Sequence, residues 1–345
     1  MDPLTHSVLG MAIAVLVTRQ PKRRRQAALA GLAAGLLPDA DVFLRSATDP
    51  LFNLQYHRHF THSLVFSPVI ALFGACIASS LYAVFKKQVD WRTLLFPAWL
   101  AGLSHLFCDA WTSYGTQIFW PFSSWRVSLD WISIIDPLLT VPLAACVALA
   151  VRYASTRAAR TGLIWAGIYL IFCIVQRQRA KSALDQWLAD SHQPPAERIS
   201  VRPSIGNAIV WRGMVVSDGV CRAVAIRCGW PGHTQLIPGQ SSPMLASPEV
   251  AAADFGLKPD SVQALDIARF YHFSDGWIGR YPGMPDVLAD LRYSNVPDEI
   301  KPLWGIRLKP EAADRHVEFL NFRSGEAPSI NRLWDMMKGT AKPRG

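Results

Sequence analysis

Five short strings in the first half of the chain mix histidine with aspartate: MDPLTH (1–6), LPDAD (37–41), HRHFTHS (57–63), HLFCD (105–109) and LDWISIID (129–136). Up to Arg177 there is no glutamate, and these strings hold six of the eight aspartates and all five histidines of that stretch. Histidine with carboxylate is the donor mixture that hard or borderline divalent ions select. Each string touches the end of a strongly apolar segment, where an ionisable group beside lipid is costly and marks a functional site by default. The candidate ligands are His6, Asp39, Asp41, His57, His62, His105 and Asp109, with Asp41 and His57 bridging or supporting. Arg58 is a candidate anion holder and Asp130 a candidate orienting group or general base.

The spacing says how each string contributes. His105 and Asp109 are four apart, so on a helix they share a face and can bind one ion together; a plain His–Asp hydrogen bond in a bundle is the alternative. His57, His59 and His62 surround Arg58, whose guanidinium suits bidentate binding of phosphate or carboxylate. Thr61 there reads as a helix N-cap and Ser63 as a first-turn residue, which would aim backbone N–H groups at an anion. Asp39 and Asp41 straddle Ala40 and would diverge on a regular helix, but Pro38 permits a backbone irregular enough for both to face inward. Asp130 and Asp136 can orient ligand histidines; Asp136-Pro137 reads equally as N-cap and first helical residue. His192, His233, His272 and His316 lack matching acidic neighbours and read as structural.

The elements that must position these residues read as six apolar segments, about 4–18, 26–44, 62–85, 93–111, 132–152 and 161–177. The third, fourth and fifth are long enough for a hydrocarbon core of about 30 Å; the first, second and sixth are marginal, and the first two read as short, tilted or re-entrant. Residues 1–177 carry 15 Lys/Arg against 8 Asp, while 178–345 carry 20 Lys/Arg against 18 Asp/Glu. Membrane topology explains this excess of base without nucleic acid. Eleven of the basic residues fall in alternate loops, 19–25, 86–92 and 152–160, which the positive-inside rule places in the cytoplasm. Both termini and the His/Asp strings then face the periplasm. The charges at 19–25 follow the first apolar stretch, the reverse of a cleaved signal peptide.

After a linker marked by SHQPPAE (191–197), runs such as AIVWRGMVV, VCRAVAIRC, ARFYHFSDGWIGRY, LWGIRL and HVEFLNF alternate with turn residues. They suggest a soluble, mainly β or α+β domain over 178–345, closed by a short helix at INRLWDMMKG. Cys221 and Cys228, at the ends of one such run, would lie about 23 Å apart on a strand, too far for a disulfide.

MDPLTHSVLG, AALAGLAAGLLPDADVFLR, YHRHFTHSLVF, LSHLFCDAWTSYGTQIFWPF and SLDWISIIDPL resemble the YdjM-type (LexA-regulated) inner-membrane family, whose members carry the label of metal-dependent hydrolase. ADLRYSNVP resembles the same family's extramembrane domain. The resemblance implies a bacterial inner-membrane protein and supports His6, Asp39, Asp41, His57, His62, His105, Asp109 and Asp130 as the site, with His59 outside the pattern. The order of ligands is also distantly similar to the zinc-dependent phospholipase C and P1 nuclease superfamily. Here no histidine follows before position 192, so one or two zinc ions are implied and not three. The function expected is hydrolysis of a phosphoester on a membrane lipid or lipid-linked substrate at the periplasmic face. A metal-dependent amidase or peptidase is the alternative, weakened by the lack of HExxH. A non-enzymatic membrane protein with a structural metal, whose 178–345 domain binds a protein partner, is the third reading.

Overall fold

The structure is a computed structural model that describes residues 1–85, 89–191, 194–230, 232–323 and 327–343. Lys86 and Lys87 of the expected loop, and His192, lie outside the described residues. The chain divides into two units, one of Met1–Leu44, Tyr56–Val175 and Ile205–Asn207, the other of Arg45–Gln55, Gln176–Ser204 and Ala208–Gly345.

The first unit is helical. Helix α1 (Pro3–Val17) opens on Asp2, whose carboxylate accepts from the Thr5 N–H at 3.0 Å, with Pro3 in the first turn. It packs against α2 (Arg24–Leu36) so closely that a Cβ on Gly10 would lie 2.4 Å from the carbonyl oxygen of Gly31, and the reverse holds equally. Small residues let two helix backbones approach in this way. After α2 the chain tightens into a 3₁₀ segment, Leu37–Phe43, and the one-turn α3 (Phe52–Tyr56) that follows belongs, up to Gln55, to the second unit. Helices α4 (Ser67–Val84) and α5 (Arg92–Ala110) complete the packing around α2. The core between them is alanine-rich: Ala30, Ala34, Ala71, Ala75, Ala98 and Ala101 are buried there. Helix α6 (Pro137–Arg152) lies against α1 and is N-capped by Asp136, which accepts from the Leu138 and Leu139 amides and from the Tyr169 hydroxyl.

Arg24 donates to the Ala154 carbonyl at 2.8 Å and Arg25 to that of Val151 at 3.0 Å, so basic loop 19–25 and the chain at 151–154 meet at one end of the unit. The first turn of α1, carrying His6, and the 3₁₀ segment after α2 stand at the other end of this antiparallel helix pair.

The expectation of about six apolar membrane segments needs correction. Among the described residues, two helices are long and apolar enough to cross a membrane, Ser67–Val84 and Thr156–Asp190. Helix α1, with 15 residues, is roughly 23 Å long, short of a 30 Å core. Helix α6 has 16 residues, and α5 has the length but interrupts its apolar run with Arg92, Pro97, Ser104, His105 and Asp109. The sixth segment, expected to stop at 177, is part of a 35-residue α7 (Thr156–Asp190). Beyond 177 its charges hide an apolar stripe at Ala180, Ala183, Leu184, Trp187 and Leu188.

In the second unit that stripe packs on a four-stranded antiparallel sheet of β1 (Arg198–Pro203), β2 (Val210–Ser217), β3 (Val220–Cys228) and β4 (Thr234–Pro243), in that order. Helices α8 (Pro248–Asp254) and α9 (Val262–Phe273) lead to a second antiparallel sheet of β5 (Ile278–Tyr281), β6 (Met284–Asp290), β7 (Trp304–Arg307) and β8 (Glu318–Asn321), and α10 (Ala327–Lys338) follows. The run 268–281 is therefore only partly strand. Ser261 caps α9 through the Ala264 amide, and Ala264, Ile267, Phe270 and Phe273 keep a helical period that outweighs the β-prone composition. The unit is α+β.

Cys221 and Cys228 stand at opposite ends of β3 as buried free thiols, and burial pushes both pKa values up to about 11. Thiolate is the reactive form. Intact-mass measurement after iodoacetamide at pH 8 is therefore expected to show neither residue modified in the folded protein and both modified in denaturant.

Candidate metal centre

Four side chains converge at the cluster end of the first unit: Asp39 from the 3₁₀ segment, His62 from the turn Phe60–His62, and His105 and Asp109 from the last turns of α5. The Nε2 atoms of His62 and His105 face each other at 3.0 Å. Asp39 Oδ1 lies 3.4 Å from the first and 3.6 Å from the second. Asp109 Oδ2 lies 3.3 and 3.5 Å from the same two nitrogens. A tetrahedral zinc with bonds of about 2.0–2.1 Å holds its ligand atoms about 3.3 Å apart, so these separations fit one ion.

The hydrogen bonds behind the rings settle which atoms face inward. His105 Nδ1 donates to the Gly35 carbonyl at 2.7 Å, in the last turn of α2, where carbonyls look beyond the helix for partners. Thr61 Oγ1 donates to Asp41 Oδ2 at 2.9 Å and so accepts from His62 Nδ1, also at 2.9 Å. With Nδ1 the donor in both rings, loss of the remaining ring proton leaves an Nε2 lone pair facing inward on each, so the two atoms are turned toward a position that a cation could take. Asp109 repeats the pattern. Its Oδ1 faces Arg58 Nη2 and His6 Nε2, both at 3.1 Å, and the amine of Met1, while its buried Oδ2 has no hydrogen-bond partner.

Asp39 and Asp41 do diverge, and they bracket His62. Asp39 reaches Nε2, while Asp41 Oδ2 stands 3.3 Å from Nδ1. Asp41 also accepts from His57 Nδ1 at 2.7 Å and from the Arg58 amide at 2.9 Å. Carboxylates in this position fix the tautomer and ring orientation of a ligand histidine, and losing one typically costs 10–100-fold in metal affinity. The Asp41→Asn protein is expected to bind zinc 10–100-fold more weakly in a competition titration, with its circular dichroism unchanged. Asp39, Asp41 and His57 also have donor atoms within 4.8 Å of one another, a second group able to share Asp39 with the first.

His6 lies behind Asp109, its ring stacked on His105 at 3.6 Å. Arg58 is buried and adopts a left-handed backbone (φ 61°) that an arginine rarely takes. Its guanidinium lies over the Tyr114 ring, bonds Thr112 Oγ1 at 3.1 Å and leaves Nε–H unpartnered. Asp130, also left-handed (φ 54°), is not in the converging set. Its neighbours pair with the end of α5 through Leu129 N–H to Ala110 O and Trp131 N–H to Trp111 O, both within 2.9 Å. His59 sits among Tyr56, Phe60 and Trp120, and burial lowers its pKa. One expectation is overturned. Thr61 and Ser63 do not begin a helix, because α4 starts at Ser67 and Thr61 instead links Asp41 to His62. Gly35, Thr112 and Tyr114 belong to the surroundings of the cluster and were missed; the Gly31-x-x-x-Gly35 spacing was the available signal for the first.

These features define a helical unit with a buried His/Asp cluster at one end, followed by a β-sheet unit. The chain belongs to the family described as YdjM inner membrane protein, whose model matches residues 1–180. It is 31% identical over 215 residues to the uncharacterized protein YfhP of Bacillus subtilis (strain 168), which covers 59% of this chain and 62% of that one. It is 34% identical over 108 residues to the inner membrane protein YbcI of Escherichia coli (strain K12), covering 30% of this chain and 57% of that one. The chain thus spans about three fifths of the length of these curated relatives. No solved structure matches.

Proposed function

We propose that the protein is an inner-membrane hydrolase that uses one or two divalent ions, with zinc the best fit, to cleave a phosphoester carried by a lipid or a lipid-linked molecule. The observation that carries this reading is the pair of facing Nε2 atoms on His62 and His105, flanked by Asp39 and the unpartnered Oδ2 of Asp109. His62, His105, Asp39 and Asp109 would hold the first ion, and Asp39, Asp41 and His57 a second. A bound divalent ion supplies hydroxide near neutral pH and stabilises charge on phosphoryl oxygens. The chain's own residues do the rest. Asp41 and Gly35 orient the two imidazoles, and His6 and Arg58 hold Asp109. Arg58 Nε–H offers a donor to an anionic oxygen, and Asp130, whose neighbours pair with the residues at the end of α5, would serve as an orienting group or general base. Asp39 is the most exposed of the four ligands and marks the side from which substrate enters. Burial of the other three supports a second reading, a closed structural site with no turnover.

We place the cluster at the periplasmic face. Helix α5 runs from Arg92, just after α4, to His105 and Asp109 at the cluster, and α6 runs from Asp136 to Arg152, just before α7, so Arg92 and the basic residues at 152–160 fall on the side opposite the cluster. Arg24 and Arg25 bring loop 19–25 to the chain at 151–154. The test of the function is turnover of phosphodiester and phospholipid substrates by detergent-purified protein. Activity abolished by chelation and restored by zinc is expected, whereas zinc bound tightly without any turnover favours the structural reading. For topology, an alkaline-phosphatase fusion after Ser191 should be active and one after Arg25 inactive; the opposite pattern reverses the orientation.

A further inference from the structure

Between α5 and α6 the chain forms a hairpin, closed where Thr116 and Val127 exchange backbone hydrogen bonds of 3.0 and 2.9 Å. Its tip, Phe119-Trp-Pro-Phe-Ser-Ser-Trp125, carries no charge, and Phe122 and Trp125 are 85% and 63% exposed. Phe119 stacks on Trp125 with centroids 6.0 Å apart, so the tip is ordered by its own rings. Its base is fixed to the ligand-bearing segment, since Gln117 N–H donates to Arg58 O at 3.1 Å and Leu64 N–H to Ile118 O at 2.9 Å. Leu64 is three residues from the start of α4, one of the two helices long and apolar enough to cross a membrane. The base of the hairpin therefore lies within about a turn of the start of that helix, and the exposed tip lies four to seven residues beyond Ile118. Leu64 and Val65, just past His62, and Phe43, two residues past Asp41, are exposed as well, Phe43 by 81%.

We propose that this hairpin tip, with Phe43, Leu64 and Val65, inserts into the boundary between headgroups and acyl chains at the start of α4, so that the His/Asp cluster opens directly onto the bilayer leaflet. An uncharged aromatic tip at that level suits the membrane interface, where Trp and other amphipathic rings collect. A second copy of the chain or a soluble partner would have to cover the tip in the same plane that lipid already occupies beside α4. The insertion stands on hairpin geometry alone. Its consequence, that a lipid phosphoester reaches the cluster by lateral diffusion and presents its headgroup at Asp39, rests on the hydrolase reading.

The test is a nitroxide at Phe122→Cys, and separately at Trp125→Cys, in full-length protein lacking Cys76 and Cys146 and reconstituted in phosphatidylethanolamine–phosphatidylglycerol vesicles. Oxygen is expected to relax both labels more than the water-soluble nickel chelate does. Preferential relaxation by the nickel chelate at both sites overturns the insertion. The second arm compares Phe122→Ser/Trp125→Ser with the parent. The ratio of activity on vesicle phospholipid to activity on a soluble phosphodiester is expected to fall at least tenfold, with bound metal unchanged. An unchanged ratio overturns the entry route. If the parent hydrolyses neither substrate, the hydrolase reading fails while the nitroxide result still decides the insertion.

Discussion

Replacing both His105 and Asp109 by alanine is expected to strip bound metal from the purified protein, with at least a tenfold fall by elemental analysis. The two residues supply two of the four converging atoms, and His62 and Asp39 alone form a poor chelate. Asp109 also neutralises Arg58, and a buried charge left without its partner destabilises by about 3–5 kcal/mol. The His105→Gln/Asp109→Asn protein keeps side-chain volume and hydrogen-bonding capacity, and so separates metal loss from unfolding. Helical circular dichroism should persist in this second variant while metal is lost. Undiminished metal in both variants would end the metal-site reading altogether.

The second large effect is expected at the seam between α1 and α2. Gly31→Val sets a branched side chain where even a Cβ would lie 2.4 Å from the Gly10 carbonyl and 2.7 Å from the Ala14 Cβ. Backbone on the far side cannot yield as a side-chain end would, so the helices must separate. Overpacking of this kind costs roughly 3 kcal/mol or more. Thermal unfolding in detergent should show the bundle melting at a clearly lower temperature and metal affinity falling with it. Gly167→Val, on α7 with nothing within 4 Å, is the control that should leave both unchanged.

The His/Asp strings were readable because charged groups are rare in apolar sequence and so stand out. The order in which they meet was not, since it depends on contacts between residues far apart in the chain. Spacing alone put Asp39 and Asp41 near one another without saying that one faces Nε2 of His62 and the other Nδ1. The helix start at Thr61 was misread because Thr and Ser cap helices and also bond side chains, and Asp41 competed successfully for Thr61. Strands such as 220–228 announced themselves by alternation, whereas β1 and β4 carry Arg, Pro, Gln and Ser that disguise it. The length of α7 was hidden for a related reason: Arg177, Arg179 and Lys181 looked like the end of a membrane segment although the apolar stripe continued between them.

Gly35 plays two parts at once. A Cβ there would stand 2.7 Å from the His6 carbonyl, so its bare backbone sets how near α1 comes, and its own carbonyl aims His105. The breadth of the cluster is therefore tied to the closeness of two helices that have no slack between them. Calcium needs six to eight oxygens at 2.3–2.6 Å, and a site could admit it only by widening. Here widening means prising the helices apart. The expected discrimination against the larger ion would thus reside in a glycine that donates no ligand.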